Sequence, residues 1–328
     1  MRCSTTSRRW RKGWPTLEFE HIPVLLDKVL ECLTLRKDAL IVDGTLGLGG
    51  YSEAFLKKDP SWRVVGIDRD AKARELSCKR LNVFGERFAA LAGDYRDMKT
   101  LCAQAGIEQA DAVVLDLGVS NMQLVDGERG FSFREDGPLD MRMNQSAGTS
   151  AAELVNTLSR DELTAIFRKY GEERFAWSIA GAIVNARTAS PVKTTHELVE
   201  LIRQGIPAPA MRKMNGHPAR KVFQALRIAV NDELGALEQG MKEAFSLLAQ
   251  EGRLIIVTYH SLEDRLVKYQ FREWSEQGLG TLEPRKAEVP GEEEIERNPK
   301  SRSARLRGFF KKDLPDSAKG RMGPWRRV

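Results

Sequence analysis

Residues 40–50 read Leu40-Ile41-Val42-Asp43-Gly44-Thr45-Leu46-Gly47-Leu48-Gly49-Gly50, an apolar run that ends in an acid and opens a glycine-rich loop. That order decides the fold: a short buried strand turns straight into a loop where the backbone can approach a ligand closely. A helical stretch from Ser52 to Lys58 follows. Outward from this unit the pattern repeats. Strands are predicted at Arg63 to Asp68, more weakly at Phe88 to Leu91, and at Ala112 to Asp116, with helices at Ala71 to Leu81 and near Met98 to Ala105. Unbroken apolar strands alternating with helices predict an α/β fold, its parallel sheet covered on both faces.

The alternation stops near Val125. Ser159-Arg160-Asp161-Glu162 has the form of a capping box and leads into Leu163, Ile166, Phe167 and Tyr170 at helical spacing. Phe175 to Ala186, Thr195 to Gln204 and Ala219 to Val230 look similar. A helix over Asp232 to Ala249 then precedes a fifth strand at Arg253 to Tyr259. The simplest organisation is a helical domain (126–230) inserted into one sheet domain (21–125 and 231–312). A basic extension over 1–20 and a basic tail over 313–328 flank them. Residues 276–300, with their Gly, Pro and Glu292-Glu293-Glu294 run, read as an exposed loop.

Composition bounds the rest. The 328 residues are 41% hydrophobic and 30% charged, an ordinary globular balance, and no stretch approaches the roughly 20 apolar residues of a membrane-spanning helix. Cys3, Cys32, Cys78 and Cys102 form no CxxC pair, and His21, His196, His217 and His260 have no ligand spacing. Neither a disulfide framework nor a metal site is expected, and a reducing, cytoplasmic setting fits. The net charge is +6. Residues 1–14 hold five basic side chains and no acid, and residues 300–328 hold ten basic and two acidic, which leaves −7 for the body. Basic arms on an acidic body suit a polyanionic partner, or serve only as solubilising tails. The Arg- and Ser-rich arm shares features with a transit peptide; a disordered basic extension is the preferred reading.

In open α/β sheets ligands bind at the carboxyl ends of the strands. Those ends carry Asp43 with its glycine loop, Asp68, Gly93-Asp94-Tyr95 and Asp116. An acid ending the second strand can accept from both hydroxyls of a ribose, as NAD and S-adenosylmethionine both require. The dinucleotide fingerprint departs at its last position, where Ser52 stands, and Asp43 would sit poorly beside a pyrophosphate. A cationic amino-acid moiety and a sulfonium suit Asp43, Asp68 and Asp116 better, which favours S-adenosylmethionine. Transfer to C5 of a pyrimidine needs a cysteine nucleophile, and no cysteine lies near a strand end. An exocyclic amine or a hydroxyl needs only positioning and a hydrogen-bond acceptor.

At this point longer motifs match. They include His21-Ile22-Pro23-Val24-Leu25-Leu26, Asp116-Leu117-Gly118-Val119-Ser120, Arg129-Gly130-Phe131-Ser132-Phe133 and Asp136-Gly137-Pro138-Leu139-Asp140-Met141-Arg142-Met143. Tyr170-Gly171-Glu172-Glu173-Arg174, His217-Pro218-Ala219-Arg220, His260-Ser261-Leu262-Glu263-Asp264-Arg265 and Asn298-Pro299-Lys300-Ser301-Arg302-Ser303 complete the set. On these motifs the chain resembles the bacterial small-subunit rRNA cytosine-N4 methyltransferases, the MraW or RsmH family, over roughly 21–312. The resemblance implies a Rossmann-like class I methyltransferase domain with a helical insertion. It also implies N4 methylation of a cytidine in the decoding centre of 16S rRNA, within the small ribosomal subunit. The family's S-adenosylmethionine contacts fall on Gly49, Gly50, Tyr51, Asp68, Tyr95, Asp116 and Gln123. Tyr51 and Tyr95 stand where His and Phe are common, and Asn121-Met122 replaces a common Ser-Pro.

Roles follow from these positions. Asp116 is expected to hold the methionine end of the cofactor and to lie near the target amine. Asp140 would accept an N4 proton or pair with Arg142. Ser261 to Asp264 fits a capping box, which leaves His260 to contact the target nucleotide. Phe131 and Phe133 would stack on a flipped base or anchor the insertion. Arg142, Arg220, Arg227, Arg302 and Arg305 are the candidate rRNA contacts, with the run Arg302, Arg305, Arg307, Lys311, Lys312 favoured for phosphates. Monomer and homodimer both remain open, as do two other functions: an NAD-linked oxidoreductase, and a ribosome-assembly factor without catalysis.

Overall fold

The computed structural model describes residues 23–118, 127–145 and 147–312. Among the described residues seven strands form one sheet: β1 (Leu40–Asp43), β2 (Arg63–Asp68), β3 (Phe88–Ala92), β4 (Ala110–Asp116), β5 (Leu248–Thr258), β6 (Gly280–Leu282) and β7 (Arg305–Lys311), in the order β3-β2-β1-β4-β5-β7-β6. The first five pair in parallel, and β7 runs antiparallel to both β5 and β6. Strand order reverses beside β1, so a crevice opens between the carboxyl ends of β1 and β4.

Period-two alternation explains why these strands are apolar throughout. Val113 and Leu115 pack on one face with Val65, Ile67, Leu254 and Ile256; Ala112 and Val114 pack on the other with Ile41, Val64, Ile255 and Val257. Helices cover both faces: α1 (Leu26–Cys32), α2 (Gly50–Lys58), α3 (Ala71–Leu81) and α4 (Met98–Gln104).

Between β4 and β5 the chain is helical, with α5 (Ala151–Thr157), α6 (Arg160–Gly171), α7 (Ala176–Arg187), α8 (Thr195–Gln204), α9 (Ala208–Met211), α10 (Arg220–Asn231) and α11 (Glu233–Leu247). Capping boxes start α5, α6 and α8, at Ser150/Glu153, Ser159/Glu162 and Thr194/Glu197. This segment has its own core around Leu163, Phe167, Ile179, Ile183, Leu198 and Leu226. Phe131 is buried in that core, and Phe133 stacks on His217 with ring centroids 4.4 Å apart. Both phenylalanines therefore take the anchoring place rather than an open one.

Three sequence expectations change beyond β5. Residues 276–300 are not one exposed loop: they contain β6 and α13 (Glu292–Arg297), and Glu294 accepts the backbone N–H of Leu25 at 2.6 Å. α12 (Ser261–Glu276) is capped one residue earlier than predicted, by His260 with Glu263. The basic run after Arg302 is largely a strand. Alternation in β7 turns Arg307 inward against Asp264 at 2.7 and 3.2 Å, and Lys311 donates to the carbonyls of Phe245 and Leu248. Neither is placed to hold a phosphate; Arg302 and Arg305 are exposed.

Candidate active site

A cleft of about 440 Å³ opens at the carboxyl ends of the strands. Its floor is the glycine loop and the start of α2, with Gly44, Gly47, Gly50 and Tyr51 on the lining. Asp68 lines it from the end of β2. Its two carboxylate oxygens accept the N–H groups of Gly47 and Asp70, both at 2.8 Å, which locks the loop against the strand end. Burial pushes this carboxyl above its ordinary range despite both bonds. Tyr95 enters from the segment after β3, its ring filling the space that a side chain at Gly240 of α11 would need.

Asp116 ends β4 in the same cleft. Its backbone N–H donates to Thr45 Oγ1 at 2.7 Å, and its Oδ1 accepts from the hydroxyl of Tyr259 at 2.7 Å. Among the described residues no other side chain bonds its carboxylate. Burial, opposed by the Tyr259 bond and reinforced by Asp43 and Glu263, pushes its pKa up to about 7. Tyr259 stands just after β5, its ring over Gly118, where a side chain would crowd it.

The opposite wall is helical. Arg227 of α10 grips Glu233 at the start of α11 through Nε and a second guanidinium nitrogen, at 2.7 and 2.9 Å, and both side chains are largely buried. Glu263 is 4% exposed and accepts the N–H groups of Tyr259 and His260, fixing the turn that aims Tyr259 at Asp116. Burial would raise the Glu263 carboxyl, but His260 and Arg227 hold it below its ordinary value.

Several expected site residues stand elsewhere. Asp43 is 1% exposed behind the loop, off the cleft lining, bound by Ser52 Oγ at 2.7 Å and Thr45 N–H at 3.3 Å. It braces the loop from within, with a pKa pushed up to about 6 by burial. Gly49 is also off the lining; it takes φ +76° as the N-cap of α2 with Leu81 packed against it. Asp140 is held by Arg142 at 2.6 and 3.0 Å outside the cleft, the bridging alternative, and its carboxyl falls below the ordinary range. His260 is an N-cap: Nδ1 accepts the Glu263 N–H, and Nε2 lies 3.2 Å from Glu263 Oε1. Arg227 faces the cleft paired with Glu233, whereas Arg220 is exposed. Gln123 lies outside the described residues.

Glu233, His260 and Glu263 bring ligand-type atoms within 4.8 Å of one another. His260 Nδ1 accepts the Glu263 N–H, and Arg227 is paired with Glu233. The acid-rich lining suits a cationic ligand. Arg69 and Arg227 are paired with Asp94 and Glu233, while Asp68 and Asp116 line the cleft with no ion pair among the described residues.

The profile of the MraW methylase family matches residues 18–312. The chain belongs to that family. Similar curated relatives are ribosomal RNA small subunit methyltransferase H of Thermobifida fusca and of Carboxydothermus hydrogenoformans, each 45% identical. The matches cover 88% of this chain and 92% of the first relative, and 90% and 99% for the second. The Mycolicibacterium smegmatis protein of the same name is 46% identical over 89% of this chain and 84% of its own. Among solved structures, an rRNA methylase from Streptococcus thermophilus aligns at a TM-score of 0.40 and 12% identity, over 88% of this chain and 94% of that one. As an MraW-family methyltransferase the chain takes its methyl group from S-adenosylmethionine, and the acid excess of the cleft suits that cation. Tyr259, Glu233 and Glu263 are site residues that sequence reasoning missed, and Arg227, expected on rRNA, is instead paired with Glu233. Tyr259 had a signal, since it ends the fifth apolar run as the aspartates end the others.

Proposed function

We propose that this chain methylates N4 of a cytidine in the decoding centre of 16S rRNA, acting in the cytoplasm on the assembled small subunit. The relatives named above act on small-subunit rRNA by name, and the family motifs support the amine as acceptor. One observation carries the chemistry: Asp116, half-buried in the cleft with a pKa pushed up to about 7, has Tyr259 on one oxygen and the other open among the described residues.

S-adenosylmethionine, when bound, supplies an electrophilic methyl group. Asp68 would accept from its ribose hydroxyls, Tyr95 would pack on its adenine, and the Gly47–Gly50 loop would lie beside its amino-acid end. Asp116 accepts a hydrogen bond from the cytidine N4 amine, which localises the nitrogen lone pair for attack. The proton released from the amine passes to Asp116, whose raised pKa matches that task near neutrality. Tyr259 holds the carboxylate so that one oxygen stays aimed at the amine.

Deleting the gene and measuring 16S rRNA nucleosides by mass spectrometry tests this. N4-methylcytidine should vanish, return with the wild-type gene and stay absent with Asp116→Ala. Unchanged modification in the deletion would leave a binding factor without catalysis. Tight NAD(H) binding without S-adenosylhomocysteine binding in calorimetry would favour the oxidoreductase.

A further inference from the structure

The outer face of α12 is charged differently from the other helices. On four of the described helices an exposed basic side chain sits one turn from a glutamate and pairs with it: Lys28–Glu31, Lys57–Glu53, Lys79–Glu75 and Arg203–Glu200. On α12, Arg265, Lys268, Tyr269 and Arg272 are exposed along one stripe, and Lys268 and Arg272 stand at i and i+4 with the same charge. Neither makes an ion pair among the described residues. The acid one turn before Lys268, Asp264, is taken by Arg307, and Glu276, one turn beyond Arg272, pairs with neither. Among the described residues Arg265 meets only the half-exposed Glu172, at 3.1 Å. Tyr269 is 44% exposed, an aromatic ring amid this charge.

Like charges on adjacent turns oppose helix formation, so an outside anion is the partner that would repay them. The first turn of α12 is the one that reaches the cleft, through Glu263 on the inner face of the helix, and exposed Arg305 lies 3.9 Å from Asp264. We propose that the outer face of α12 docks the backbone of the rRNA that presents the target nucleotide. Arg265, Lys268 and Arg272 hold phosphates, and Tyr269 stacks on an unpaired base. This rests on the reading of the chain as an rRNA methyltransferase.

The test uses the full chain and small subunits from a strain lacking the methyltransferase. For the Lys268→Ala/Arg272→Ala double variant, the slope of log affinity against log salt should flatten by about 1.4 to 1.8, the share of two phosphate contacts. Tyr269→Ala should weaken binding by roughly 5- to 150-fold with the slope unchanged, as one lost base stack predicts. Affinity for S-adenosylhomocysteine and the thermal midpoint should not move, and Lys37→Ala, at the far end of the sheet, should leave binding unchanged. An unchanged slope and affinity in the double variant would overturn the proposal. So would a loss seen with intact subunits but not with protein-free 16S rRNA, which would make the partner an acidic protein. If the wild-type chain itself fails to methylate the subunits, the underlying reading fails, and the wild-type arm shows that separately.

Discussion

On the strand-end wall of the cleft, Asp68 and Asp116 face the ligand space with no ion pair among the described residues. On the helical wall across from them, Arg227 grips Glu233 at two points, and Glu263 is bonded by its own turn. Asp68 and Asp116 are half-buried, as are Arg227 and Glu233, and Glu263 is buried, so both walls hold partly or fully desolvated charges. The carboxyls diverge because of their partners: Asp116 rises to about 7 while Glu263 falls below its ordinary value. A buried charge with an internal partner is scaffold. One without such a partner is held ready for something from outside, here a cation and an amine.

Replacing Asp116 by Asn should produce the largest effect. It removes the proton acceptor while keeping the shape, so kcat should fall by about 10² to 10⁴ with the thermal midpoint nearly unchanged. A variant that kept full activity in a methyl-transfer assay would erase the contrast between the walls. Glu233→Gln probes the other wall. It strands the Arg227 guanidinium in the cleft and should cost about 3–5 kcal/mol of stability in denaturant titrations, a loss of fold rather than of chemistry alone.

The pH dependence separates the walls next. Asp116 and Asp43 have folded pKa values near 7 and 6, raised above their unfolded range near 4. The folded ligand-free protein therefore binds extra protons in between, and the stability they contribute is lost as pH rises from about 4 to about 7. S-adenosylmethionine affinity should move the opposite way, rising by up to about tenfold per unit where Asp116 titrates. Calorimetry across pH 5 to 8 reads this, and a flat profile would remove Asp116 from the cation site. The smallest effect belongs to Glu172→Ala. Its pair with Arg265 has both side chains about half exposed, so stability should change by less than about 1 kcal/mol.

Much of this was legible in the residue order. β1, β2 and β4 are apolar runs long enough for a buried strand and too short for a helix, and each ends in the aspartate that the structure shows. The capping box at Ser159 is local chemistry, and it forms where its spacing put it. The helical segment between β4 and β5 was readable because its apolar residues recur at helical spacing. The errors share a cause. Asp43 and Asp116 look alike as strand-end acids, yet one faces back beneath the loop and the other into the cleft. Periodicity assigns a residue to a face and says nothing of what the next loop places over it. Arg307 and Lys311 read as free cations because their partners, Asp264 and the carbonyls of Phe245 and Leu248, lie 43 to 66 residues away.

The sequence by itself therefore determined the elements, their order and the family, since hydrophobic period, caps and motifs act over a few residues. Only the tertiary structure decided which charges have partners. It brought Arg307 to Asp264, Lys311 to the carbonyls of Phe245 and Leu248, and Tyr259 to Asp116 from 143 residues away. Electrostatics inside a fold depends on distance and desolvation, and neither exists until the strands are side by side.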